Sequence, residues 1–200
     1  MSVRHRVARW AAPVLLACGV AALGFAAYVI VDARAYQSAE RKRFEATSSS
    51  AVAAPVPTDG ASIGEIQIPR LGLRVMVLQG ESAPILQHGV GHLPDTALPG
   101  EVGNVVLAGH RDTFFRPLSG VHAGDSITLK TRDGKFEYLV ESTSVVAPGA
   151  VEVLEPTGGS TLTLITCYPF SYIGASPNRF IVRARQRIEA PEIDTPAGRR

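Results

Sequence analysis

The 200 residues suffice for one domain with extensions, and the formal net charge is only +2. Residues 1–45 hold seven Lys/Arg against three Asp/Glu, whereas residues 61–185 hold ten against eleven. The basic excess is confined to the N-terminus, so the basic stripe of a nucleic-acid-binding domain is missing and no nucleic-acid partner is expected.

Residues 1–10 form a basic flank with Arg4, Arg6 and Arg9. Residues 11–31 carry no charge and, as a helix, would span about 31 Å, the thickness of a bilayer core. Trp10 and Tyr28 sit near its ends, where interfacial aromatics are favoured. An uncleaved transmembrane signal-anchor is expected. The competing readings are a signal peptide cut near Ala33-Arg34-Ala35, and a lipid anchor at Cys18, for which the preceding apolar run is too short. Basic residues flank both ends, but Asp32 offsets Arg34 on the nearer flank, which favours an internal N-terminus. Residues 32–60 read as a juxtamembrane segment and linker. Within them, 32–45 suit a short exposed helix of mixed charge, and 46–60 a flexible-to-extended tether.

The main domain is expected over residues 61–187. Residues 64–68 and 73–78 alternate as two strands around a Pro69–Gly72 turn. Residues 82–87 suit a short helix with Ser82 as N-cap and Pro84 in the first turn. Residues 89–103 read as loop. Residues 104–108 form an apolar strand ending in Gly109-His110, and 114–118 a helical turn. Residues 125–131 and 135–146 flank the hairpin turn Asp133-Gly134. Residues 161–166 and 180–185 complete about eight strands with short helices. The pattern predicts an all-β, closed or nearly closed barrel behind an N-terminal transmembrane helix. Residues 188–200, rich in Pro and Gly, read as a disordered tail.

The two cysteines, Cys18 and Cys167, are too far apart in the chain and in kind of surroundings for a disulfide or a structural zinc site. Cys167 ends the β-branched run 161–166, and Arg179 opens the next one. Adjacent strands would bring thiol and guanidinium to one end of a sheet, and His110 ends another strand. Each residue alone also has an ordinary reading: a buried thiol, a structural histidine, a surface ion-pair partner.

Together, TLTLITC with NRFIVRA and NVVLAGHRDTFF resemble the sortase family, whose nucleophilic cysteine closes one strand while an arginine opens the next. The CYPF and GHRDTFF stretches most resemble the class D and E groups. The resemblance implies a sortase β-barrel and a membrane-anchored cysteine transpeptidase. It assigns Cys167 as nucleophile, His110 as general acid/base and Arg179 as the group stabilising oxyanion and substrate. It also implies secreted partners bearing an LPxT-type sorting signal, and an amine acceptor such as a peptidoglycan precursor or a pilin lysine. The location it implies is a single-pass cell-membrane protein with the catalytic domain outside. No cofactor or metal site is implied, and calcium dependence stays open. The alternatives are a thiol hydrolase with the same three residues and an inactive, tethered peptide-binding barrel.

Other residues are weaker candidates. His88 and His92 have the spacing of a helical metal pair, but Gly89, Gly91 and Pro94 argue against a helix there. His122 reads as a solvent-facing turn residue. Asp112 is expected to cap residues 113–118, with orienting His110 or Arg111 as the other reading. Thr166 is a candidate to lend a hydroxyl or backbone group near the oxyanion, and reads equally as an ordinary strand-end threonine. Residues 93–97, LPDTA, look like a sorting signal, but within the domain they read as a rigid loop.

Overall fold

The structure, a computed structural model, describes residues 3–47, 57–172 and 174–187. Alternation builds the barrel wall: in β1 (Ser62–Ile68), Ile66 and Ile68 enter the core and Gln67 lies on the opposite face. β1 pairs antiparallel with β2 (Leu73–Gln79) through the expected hairpin, with Gly72 left-handed at its turn. A short helix follows, then β3 (Val90–His92), β4 (Gly103–Ala108), β5 (Ser126–Lys130), β6 (Lys135–Val146), β7 (Ser160–Tyr168) and β8 (Asn178–Gln186). They close in the order β1-β2-β3-β4-β7-β8-β6-β5. The core is aliphatic with Phe115 and Tyr138; all eight strands contribute, β3 through Val90 alone, and the segment between β4 and β5 adds Phe115, Leu118 and Val121.

Two pairings decide where the chemistry falls. β4 and β7 run parallel, with Ala108 opposite Ile165. β8 runs antiparallel between β7 and β6, so Arg179 lies opposite Cys167 on one side and Val146 on the other.

Several expectations are corrected. β3 lies inside the stretch expected to be loop, where it pairs parallel with β2 and antiparallel with β4. The helical turn comes slightly later than expected, as a 3₁₀ turn at Arg116–Gly120. Asp112 does not cap it. The His110 carbonyl accepts the amides of Thr113 and Phe115, and Asp112 pairs with Arg111 Nε at 3.3 Å. Ser82 stands at the N-cap of α2 (Ala83–His88), with Pro84 in the first turn, but its side chain makes no capping bond.

The N-terminal helix α1 (Val3–Thr47) runs unbroken past the apolar segment. Residues 11–31 are exposed throughout, and the helix is long and apolar enough to cross a membrane. Its second part is not the free, exposed helix expected, because it docks on β1, β2 and α2. Gln37 is buried: its Oε1 accepts Met76 N at 2.8 Å, and its Nε2 donates to His88 O at 2.5 Å. Phe44 is buried as well. Arg41 lies 3.4 Å from the buried Glu65 carboxylate, which Arg74 also binds. Burial pushes the Glu65 carboxyl up, but hydrogen bonds from Arg74 and Gln67 and the nearby guanidinium charges outweigh it and hold the group below the usual carboxylate range. Most of the expected tether and the tail 188–200 fall outside the described residues.

Candidate active site

His110 is delivered by the end of β4. Gly109 N donates to Ile165 O at 3.1 Å, extending the parallel ladder one step beyond Ala108. A Cβ at Gly109 would meet the ring of buried Phe115 at 2.8 Å, so only glycine lets the chain turn this closely over the core. The Thr166 hydroxyl donates to Gly109 O at 2.7 Å. Thr166 therefore holds the peptide leading into His110, and its hydroxyl is committed to that bond. His110 itself is exposed.

Cys167 follows Thr166 on β7 and is partly buried. Directly opposite residues of antiparallel strands project to the same face, which brings the Cys167 and Arg179 side chains together. Arg179 is half-buried, and its Nη1 donates to Asn178 O at 3.1 Å and to Ser176 O at 3.5 Å. His110, Cys167 and Arg179 all line one cleft of about 350 Å³ at this rim. Its other surfaces are mainly apolar: Leu86 and Leu93 on one side, and Val151, Val153 and Leu154 of the β6–β7 connection on the other. A second hollow, at the opposite end of the barrel between Pro57, Ile63 and Asp133, contains none of the three.

The remaining polar residues have structural posts. His92 is fully buried, with Nδ1 at 2.9 Å from the Gln79 side-chain amide and Nε2 at 2.9 Å from Ala97 O. Burial pushes its pKa below the ordinary histidine value, against smaller opposing effects of the Ala97 bond and Glu101. His88 ends α2, with ring nitrogens near Pro84 O and Asp32. The two histidines thus face different surroundings and do not form a pair. The loop 93–97 is a closed turn: Thr96 N and Oγ1 both donate to Leu93 O. His122 is exposed, as expected, beside the Arg70–Asp125 ion pair.

Two residues that hold the loops bordering the cleft escaped the sequence reading. Asn104 is buried on β4 and donates to Val153 O at 3.0 Å and Glu155 O at 3.3 Å, holding the β6–β7 connection. Arg111 is buried and holds the β7–β8 connection. The only sequence signal for Asn104 was an amide at the start of an apolar strand. For Arg111 it was a charge immediately after a strand-end histidine.

Comparisons with known proteins point to one family. A family model for the sortase domain matches residues 66–187. Sortase D of Bacillus subtilis (strain 168) is 35% identical over 131 residues, which cover 65% of this chain and 66% of that one. Sortase SrtE1 of Streptomyces coelicolor is 35% identical over 129 residues, 55% of this chain and 37% of that one. The chain thus spans less than two thirds of the length of these relatives. Among solved structures, a Clostridium perfringens Sortase D5 transpeptidase superposes with a TM-score of 0.65 at 26% identity, over 77% of this chain and 97% of that one. With a matching domain model over most of its length and class D and E proteins among its relatives, the chain belongs to the sortase family.

Proposed function

We propose that the chain is a membrane-held cysteine transpeptidase that cleaves an LPxT-type sorting motif and passes the acyl group to an amine. The observation that carries this reading is the meeting of His110, Cys167 and Arg179 in one cleft from three strands. Cys167, as thiolate, attacks the carbonyl carbon after the threonine of the motif. Arg179 donates to the carbonyl oxygen as it gains negative charge; its permanent charge and forked donors suit that post. The C–N bond breaks as His110 gives its proton to the leaving amine, and a thioester remains on Cys167. An incoming amine then attacks the thioester, His110 takes the amine's proton, and the C–S bond breaks to restore the thiolate. The apolar walls of the cleft suit the leucine and proline of such a motif.

The apolar part of α1 supports a single-pass anchor, and in this reading the barrel lies on the outer side of the membrane. The substrates would be secreted proteins with a sorting signal. The acceptor would be an envelope amine, on a peptidoglycan precursor or a pilin lysine. The test is to incubate the full chain with a library of LPxT-type peptides and measure the mass added at Cys167. An acyl adduct is expected, together with an amine-dependent product. Cys167→Ala should abolish both, lowering turnover by at least about 10⁴-fold. Hydrolysis unaffected by added amine would favour a thiol hydrolase. Peptide binding with no adduct would favour a binding module.

A further inference from the structure

We infer that Arg111 is a positioning residue that fixes Cys167 and Arg179 relative to His110, an inference that rests on the reading of the cleft proposed above. Its guanidinium is buried, with only 7% of the side chain exposed. A guanidinium has five N–H groups, and here each has an oxygen. Nε faces Asp112 Oδ1 at 3.3 Å. Nη1 donates to Pro169 O at 3.0 Å and to the Ser176 hydroxyl. Nη2 donates to Tyr172 O at 2.6 Å and to Gly174 O at 3.1 Å. The Tyr172 ring lies against the same group, 5.9 Å from its carbon.

Every one of these partners except Asp112 belongs to the connection between Cys167 and Arg179. Pro169 is two residues beyond the sulfur. Ser176 is three residues before Arg179, and its carbonyl accepts from Arg179 Nη1 while its hydroxyl accepts from Arg111. Arg111 is also the peptide neighbour of His110. One side chain thereby joins the loop that separates nucleophile and arginine to the turn that carries the histidine. A buried cation is costly unless its donors are met, so loop and guanidinium hold each other in one arrangement. Lysine has three donors without a planar fork and would leave the loop carbonyls short of partners.

The test uses the full chain in detergent, with Arg111→Lys, Arg111→Met, Ser176→Ala and the double variant Arg111→Lys/Ser176→Ala. Arg111→Lys should lower kcat for peptide transfer by roughly ten- to a hundredfold, because small misplacement of reacting groups is costly. KM should move by less than about threefold, and amide hydrogen exchange over residues 169–178 should rise. Ser176→Ala should shift both readouts in the same direction by less, and the double variant should be no worse than Arg111→Lys alone. The inference is overturned if Arg111→Lys keeps kcat within about twofold, if the loss lies in KM alone, or if the two substitutions add independently. Should Arg111→Met fail to fold, Arg111→Lys and Ser176→Ala decide. If the parent chain shows no turnover, the transpeptidase reading has failed. The positioning inference is then judged by the pH profile of Cys167 alkylation with iodoacetamide and by loop exchange: altered profiles in Arg111→Lys support it, and unchanged ones overturn it.

Discussion

The β6–β7 and β7–β8 connections both border Cys167, but opposite kinds of chemistry secure them. The first is held from beneath by a neutral amide: Asn104 Nδ2 binds Val153 O and Glu155 O, while its Oδ1 accepts the hydroxyls of Thr161 and Thr163 at 3.3 and 2.7 Å. Arg183 adds a longer bond to Val153 O. What this connection presents to the cleft is apolar. The second is held by the buried guanidinium of Arg111, beside His110, and what it joins are the thiol-bearing and arginine-bearing strands. In the proposed reading, one wall meets the substrate and the other keeps the reacting groups in place. Damage to their anchors should therefore appear in different kinetic constants.

The strongest way to break that distinction is Asn104→Ala. It leaves two loop carbonyls and two buried threonine hydroxyls without their amide, and the expected loss of stability is about 2 to 3 kcal/mol, measured as a shift in denaturant midpoint. In the surviving folded protein, KM for the peptide should rise several-fold while kcat stays within about twofold. Equal loss in both constants would show that the walls are not separate.

A smaller effect sharpens the picture on the third border of the cleft, where His92 secures the turn behind Leu93. Burial depresses its folded-state pKa, so below about pH 6.5 the unfolded chain takes up a proton that the folded chain resists. This contribution to stability is present above pH 6.5 and is lost as pH falls toward the folded-state pKa, by at most about 1.4 kcal/mol per pH unit. Thermal melts from pH 7.5 to 5.5 should show the decline, and His92→Gln should flatten it. An identical slope in the variant would assign the pH dependence elsewhere.

The smallest effect is expected at Tyr138, a core residue that does not line the cleft. Its hydroxyl is buried in the core with no hydrogen-bond partner among the described residues, and burial pushes the phenol up to about 12. Tyr138→Phe removes a polar group that gains nothing from folding, so stability should change by less than about 1 kcal/mol or rise slightly. Transfer activity should match the parent; a fall would tie the core to the rim.

Most of the strands were legible because their residues alternate or run apolar between clear turn signals, as in residues 64–68 of β1 and 161–166 of the cysteine-bearing β7. The proximity of Cys167 and Arg179 was legible for the same reason: adjacent strands with a single connection must meet at its ends. β3 was hidden because three residues among glycines carry no periodicity, and its pairing is fixed by neighbours distant in sequence. The docking of α1 was hidden by its mixed charge. Arg41 reads as solvated until Glu65 on β1 is placed beneath it. Arg111 was overlooked for a related reason, since a charge beside a strand end reads as exposed, and only the folded β7–β8 connection supplies the oxygens that bury it.

The parallel pairing of β4 with β7 has an evolutionary consequence. His110 and Cys167 each lie two residues beyond a matched pair, Ala108 and Ile165. Insertions or deletions in the chain between them are absorbed outside that ladder and leave imidazole and sulfur in step. If these residues act as proposed, the bordering segments are exchangeable cassettes, and substrate preference can diverge while the proposed bond-breaking residues are inherited intact.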